Sequence, residues 1–221
     1  MTQEERREAI LKTAIPLFAE KGFHGVKTKE LAQAAGVSEA LVFQHFPSKE
    51  ALFEAVQQFA HGPEEESELA GRFLSLPSSS EKLMLGIHLI LDHLTEDAPP
   101  EEKVMPRLMM QSLLDDGALA RRHLGRFERE WWPVLVEALR SAREAGEAVD
   151  VGTPEMLLVW FFHHVGFAIR ILKLPGTTID YGIPTPDLVE YLGRFLLRGM
   201  GVREEVIQTK YNVGDLLRQL G

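Results

Sequence analysis

Cysteine is absent from the sequence. That removes disulfide cross-links, thiolate nucleophiles, cysteine-ligated zinc and thiol redox sensing, and it fits a reducing compartment. Catalytic signatures are missing as well. There is no G-x-S-x-G elbow, H-E-x-x-H helix, G-x-x-x-x-G-K phosphate loop or dinucleotide fingerprint, so no enzyme and no cofactor are expected. The opening MTQEERREAI is charged where a secretory leader needs an apolar core. The most apolar stretch, Met156 to Leu172, is interrupted by His163, His164 and Arg170 and reads as too broken to span a membrane. These absences predict a soluble, cytoplasmic chain with no membrane partner.

Positive charge is also scarce: 24 basic residues face 33 acidic ones, a net charge of −9. At face value that argues against nucleic acid, since phosphate binding draws on lysine and arginine. Position reverses the reading. Residues 1–50 carry seven basic and seven acidic residues, so the whole surplus of negative charge lies in residues 51–221. The asymmetry hints at two functional halves.

What is present is a chain of 221 residues, 45% hydrophobic and 26% charged, enough to bury a sizeable core as one large domain or two small ones. Apolar residues recur at three- and four-residue steps and no stretch alternates between hairpin turns, so the fold class is all-α. A first helix is predicted over about Gln3 to Lys21, ended by Gly22, with Ile10, Leu11, Ala14, Leu17 and Phe18 on one face. A second, starting at Thr28 or its neighbour, carries Leu31, Ala32 and Ala35 and is closed by Gly36. Ser38 caps a third with Val42 and Phe46 facing inward, and Pro47-Ser48 leads into a fourth. After Gly62-Pro63 and the acidic run Glu64 to Glu66, the chain either kinks or resumes as a separate turn through Leu69, Phe73 and Leu76, and helices follow at about 80–96, 101–115, 118–145, 154–173, 187–199 and 203–220. Ala98-Pro99-Pro100, Asp116-Gly117, Gly146 and a loop from Pro175 to Pro186 divide them.

Two short helices joined at Ala35-Gly36-Val37, with a polar outer face on the second, are what a helix-turn-helix requires, although many helical hairpins with a glycine turn bind nothing. The wording of residues 10–53 goes further. Ile10-Leu11, Ala14, Leu17-Phe18, Glu20-Lys21-Gly22-Phe23, Leu31-Ala32, Ala35-Gly36-Val37-Ser38 and Phe43 to Leu52 resemble, in order and in register, the N-terminal DNA-binding domain of the TetR family of transcriptional repressors. The later residues match only in being helical and of suitable length.

The resemblance implies a helix-turn-helix domain at 1–48, a ligand-binding and dimerisation domain at 49–221, and a recognition helix from Ser38 to His45. At about 100° per residue, Glu39, Ala40, Phe43 and Gln44 form the arc opposite Val42 and Phe46. Gln44 suits adenine, and Ala40 and Phe43 suit thymine methyls. Phe43 stands where the family usually has tyrosine, so a hydroxyl contact to phosphate is lost. Glu39 either accepts from a cytosine amino group or only complements the helix N-terminus. Phosphate positioning falls to Thr28, Lys29, His45 and Lys49, with Lys27 second in rank. The family commonly has a small hydroxyl residue near position 27, so the cap of the second helix is expected at Thr28.

Other constellations carry less. His88, Asp92, His93 and Glu96 share neighbouring helix faces, but without a second converging cluster no metal site is expected. His163 and His164 are adjacent and cannot readily hold one ion together; one is expected at a pocket or a dimer seam. By resemblance, 154–173 and 187–199 form a four-helix seam with a second copy, with Arg170 and Arg194 at its rim. Met105, Met109, Met110, Trp131, Trp160, Phe161, His163, His164 and Phe167 are candidate linings of an apolar pocket with a few polar anchors. The acidic balance of 51–221 repels anions unless Arg107 or Arg122 turns inward. The implied partners are a double-stranded DNA operator, a small apolar or amphipathic effector and a second copy of the chain. The rival readings are a DNA-binding protein without an effector and a ligand carrier without a DNA role. Val206, Leu216, Leu217 and Leu220 suggest that the tail packs back on the body or the partner.

Overall fold

The computed structural model describes residues 2–60, 68–95, 104–174 and 178–220. Among the described residues there are thirteen α-helices and no strand, only the isolated bridge between Ala148 and Val202. The fold is all-α, as the periodicity predicts. The helices group into two compact units, with the division inside α8 (Ala118–Glu130).

The first unit holds α1 (Gln3–Gly25), α2 (Thr28–Ala34), α3 (Glu39–His45), α4 (Lys49–Ala60), α7 (Val104–Leu114) and the start of α8. A capping box opens α1: Thr2 Oγ1 accepts from the Glu5 amide at 3.1 Å, and the Glu5 carboxylate accepts from the Thr2 amide at 2.7 Å. Ile10, Leu11, Ala14 and Phe18 are buried on one face, as expected. Gly22 ends the regular run of helix as expected, at φ 67 and ψ 175, and beyond this kink a further short helical segment carries α1 to Gly25. Phe53 of α4 packs against Phe18 and Phe23 of α1, with ring centroids 4.9 and 5.3 Å apart. Alongside, α7 packs on α1 and lays the Gln111 side chain over Gly22.

The second unit holds α5 (Glu68–Ser75), α6 (Ser80–Thr95), the rest of α8, α9 (Trp132–Glu144), α10 (Glu155–Leu172), α11 (Thr185–Gly199), α12 (Glu204–Lys210) and α13 (Val213–Arg218). Its axis is α6, buried nearly all round by α9, α10, α11 and α13. Three expectations are corrected here. The helix expected at 118–145 is two, parted at Trp131, because Pro133 has no amide hydrogen to continue the ladder. The helix expected at 203–220 is also two, since Tyr211 leaves the helical region and Asn212 starts α13 afresh, its side chain accepting from the Asp215 amide at 3.1 Å. The start expected at 187 lies at Thr185.

The tail does pack back: Val206, Leu216 and Leu220 are buried, and the Arg72 guanidinium donates to the Leu220 carbonyl at 2.7 Å. Leu217, expected to join them, stays exposed because it lies on the outer face of α13. Lys210 ties the tail to the body through Glu81 at 2.8 Å and Glu147 at 2.6 Å. Gly62-Pro63, the acidic run Glu64 to Glu66, Glu96, Ala98-Pro99-Pro100 and Pro175 lie outside the described residues.

α10 buries Leu158, Val159, Phe162, His163 and Ile169, while Leu157, Phe161, Val165 and Leu172 are exposed. By length and composition it is also apolar enough to cross a membrane, so His163, His164 and Arg170 do not break it as expected. The apolar composition has a local cause, since α10 packs against both α6 and α9.

Candidate nucleic-acid interface and an aromatic cluster

The turn between α2 and α3 is built by a Schellman closure. The Gly36 amide donates to the Gln33 carbonyl at 3.2 Å and the Val37 amide to the Ala32 carbonyl at 2.9 Å, with Gly36 at φ 66. A residue with a side chain pays for that left-handed conformation, which is why glycine closes the hairpin. Ser38 then caps α3, its hydroxyl accepting from the Leu41 amide at 3.2 Å. Val42 and Phe46 anchor the inner side of α3, at 1% and 2% exposure.

That anchoring leaves Glu39, Ala40, Phe43 and Gln44 exposed together on the outer face of α3, Phe43 at 44%. Ser38 is exposed as well, although its hydroxyl is committed to the cap. His45 is half-buried against the Phe46 ring. The half-buried Lys49 opens α4 with its ammonium 4.5 Å from the centre of the Phe23 ring, a cation-π contact that fixes the position of the charge. Lys29 is exposed and Thr28 half-buried. The cap of α2 is corrected: Lys27 is the N-cap and offers no side-chain bond, so Thr28 is the first helical residue. Lys21 is drawn away from any external anion by its ion pair with Glu30, which raises the ammonium's pKa and lowers the carboxyl's. Ser48 accepts from the Ala51 amide at 3.1 Å, and the Glu50 carboxyl is held below its usual range, mainly by its own backbone amide and then by the Ser48 hydroxyl.

The candidate pocket residues divide. Met105 and Met109 are on α7 in the first unit, Met109 buried and Met105 half-buried. In the second unit Trp160, His163, His164 and Phe167 come together: His163 stacks on Phe167 at 5.9 Å, and His164 on Trp160 at 5.4 Å. Trp131 is half-buried and stacks on Phe73 at 5.5 Å. Phe161 does not join them but is 53% exposed on the outer face of α10. Two members of the cluster, Phe127 and Trp132, were missed. Trp132 is fully buried, with Trp160 edge-on at 5.1 Å, His163 at 5.4 Å and Phe127 at 5.4 Å. Its spacing to Leu135, Val136 and Leu139 on the buried face of α9 is the signal that singles it out over Trp131.

His88 is buried, its Nδ1 lying 3.3 Å from the Tyr211 hydroxyl, whereas Asp92 and His93 are exposed. Burial lowers the His88 pKa, opposed in part by Asp92 and Glu190. Among the described residues no group of three potential metal ligands converges. Arg194, expected at a seam rim, pairs with Glu190 at 2.8 Å and with the Tyr211 carbonyl at 3.2 Å.

A capped helix-turn-helix with an exposed second-helix face, in a chain with a larger helical unit, defines a class of DNA-binding regulators. Comparison with known proteins agrees. A family model for bacterial regulatory proteins of the tetR family matches residues 10–56. The HTH-type transcriptional regulator RutR of Escherichia coli K12 is 45% identical over 51 residues, 23% of this chain and 24% of RutR, so the match spans about a quarter of that relative. The nucleoid occlusion factor SlmA of Haemophilus influenzae is 30% identical over 153 residues, 68% of this chain and 67% of SlmA. A TetR transcriptional regulator from Agrobacterium tumefaciens of known crystal structure, 19% identical, shares the fold over 92% of this chain and 98% of its own with a TM-score of 0.64. The chain belongs to the TetR family of bacterial regulatory proteins. RutR and the Agrobacterium protein are named as transcriptional regulators, SlmA as a nucleoid occlusion factor, and none of the three as an enzyme.

Proposed function

We propose that the chain is a cytoplasmic, homodimeric transcriptional repressor, with a DNA-binding domain at 1–48 and an effector-binding and dimerisation domain at 49–221, released from a pseudo-palindromic operator by a small apolar or amphipathic effector. The observation that carries the DNA half is the exposed face of α3, where Ala40, Phe43 and Gln44 stand clear of a core fixed by Val42 and Phe46. Gln44 pairs with adenine in the major groove, Ala40 and Phe43 meet thymine methyls, and Glu39 flanks them. Thr28, Lys29, His45 and Lys49 position the phosphates. Supporting the dimer, Leu157, Phe161, Val165 and Leu172 of α10, with Tyr191 and Phe195 of α11 at 62% and 66% exposure, leave an apolar face that a second copy covers.

Effector control is coupling without chemistry. A ligand that favours a helix arrangement in which the two recognition helices no longer match the operator spacing weakens binding about 5–150-fold, for a coupling of about 1–3 kcal/mol. A second reading, DNA binding without an effector, draws on SlmA, whose name is that of a nucleoid occlusion factor.

The test begins with selection of bound genomic fragments and footprinting. Gln44→Ala should cost about 1–3 kcal/mol on the selected site and leave random DNA nearly unaffected. Lys49→Ala should weaken both alike and reduce the salt slope by about one. Equal losses for the two variants on both DNAs, or footprints without two-fold symmetry, refute the reading.

A further inference from the structure

Resting on the effector-binding half of that reading, we infer that the effector site is the aromatic cluster around Trp132, and that it selects a flat apolar molecule carrying one hydrogen-bond-accepting oxygen. The Trp132 side chain is fully buried, yet its indole Nε1–H meets no acceptor among the described residues. A buried donor in apolar surroundings strongly favours any molecule that brings it an acceptor. Around it stand Phe127, Trp160 and His163, with centroids 5.4, 5.1 and 5.4 Å from the Trp132 ring, and Phe167 stacked on His163. His163 and Trp132 are buried, whereas Phe127, Trp160 and Phe167 around them are half-buried.

The chemistry of the walls narrows the ligand. Five aromatic side chains offer π-faces and positive edges to a planar body and little to a sugar or an aliphatic polyol. An indole N–H presents positive charge, so it rejects an ammonium group and takes a carbonyl, ether or phenolic oxygen. A site that hydrogen-bonds its ligand discriminates strongly against an analogue lacking the oxygen, because that analogue leaves the N–H buried and unpaired. The preferred class is therefore an aromatic ketone, ester or phenol, not a hydrocarbon and not a lipophilic cation.

A matched pair of probes tests this on the full-length protein: 1-acetylnaphthalene and 1-ethylnaphthalene, close in shape and differing by one carbonyl. With three tryptophans in the chain, the indole N–H region of an NMR spectrum of tryptophan-labelled protein is simple to assign. The ketone should bind about tenfold more tightly than the hydrocarbon and move the Trp132 indole signal downfield. In Trp132→Phe the two affinities should become equal. If the probes bind equally to the unaltered protein, or if the ketone leaves the Trp132 signal in place, the assignment is overturned even when the variant fails to fold. Operator affinity read in the same samples keeps the two ideas separate. Ketone binding at Trp132 with DNA affinity unchanged upholds the site and sinks the effector reading. DNA release with the Trp132 signal unmoved does the reverse.

Discussion

Gly22→Ala should destabilise the first unit through the backbone more than through the contact that first draws the eye. At φ 67 and ψ 175, Gly22 occupies a region that is essentially reserved for glycine. An alanine there costs about 1–3 kcal/mol in backbone strain. Its Cβ would also lie 2.8 Å from Gln111 Oε1 and 3.1 Å from Gln111 Cδ, closer than packed atoms tolerate. Those atoms are the free end of a flexible side chain, however, and a rotamer change removes them at a cost of order 1 kcal/mol or less. The expected total is about 1–3 kcal/mol, or roughly 2–12 °C in melting temperature for a chain of this length. Thermal and urea unfolding of Gly22→Ala, Gln111→Ala and the double variant separate the causes. If strain dominates, the double variant stays near Gly22→Ala. If crowding dominates, removing the Gln111 side chain restores stability. Full rescue in the double variant, or a Gly22→Ala loss below about 0.5 kcal/mol, would refute the reasoning. The kink also sets Phe23, over which the Lys49 ammonium sits at 4.5 Å, so the variant should weaken DNA binding beyond its effect on the folded fraction.

Phe46→Ala should cost about 3–5 kcal/mol and abolish DNA binding, because it opens a cavity beneath α3; retained near-native stability by denaturant titration would contradict the packing. Gly193→Ala should loosen the tail, since a Cβ there overlaps the Tyr211 hydroxyl oxygen and falls 2.9 Å from the ring carbon that bears it. The buried ring has to move, at about 1–3 kcal/mol, with faster proteolysis around residues 203–220 as the measure. His88 has a lowered pKa in the folded protein, so the unfolded chain takes up the proton first. Stability should therefore hold above about pH 6.5 and fall as the pH drops below it, and His88→Gln should flatten that fall in a melting-temperature series; an unchanged slope would count against it. Phe195→Asp should shift the chain to monomer in sedimentation by placing a charge in the proposed seam.

The first unit was legible because its rules are local. A capping serine, a glycine turn and a four-residue apolar spacing each act within one turn of helix, so Ser38, Gly36, Val42 and Phe46 announce their roles one by one. The breaks that escaped detection were also local but outvoted. The apolar period of 118–145 runs straight through Trp131 and Pro133, and that of 203–220 through Tyr211, and a period cannot reveal that the chain has turned. The aromatic cluster is hidden for a different reason: the spacing of Trp132 to Leu135, Val136 and Leu139 marks it as inward-facing, but Phe127, Trp132 and His163 come from three helices and only tertiary packing brings them together.

α10 shows where a single chain's sequence runs out. Hydrophobicity reports that a surface is removed from water and says nothing of what removes it. Leu158, Phe162 and Ile169 are covered by this chain; Leu157, Phe161, Val165 and Leu172 have the same composition and the same helical spacing and are left bare. Read from sequence, both faces count equally toward burial, which is why the helix meets the length and composition of a membrane span. The distinction appears only when the intramolecular neighbours are in place, and the face they leave uncovered continues onto α11 at Tyr191 and Phe195, on a helix that packs against the same α6 as α10 does. Two exposed apolar stripes on helices sharing one support are what a self-complementary, two-fold interface is made from. The surplus hydrophobicity of this helix is what the proposed dimer would bury against a second copy of the chain.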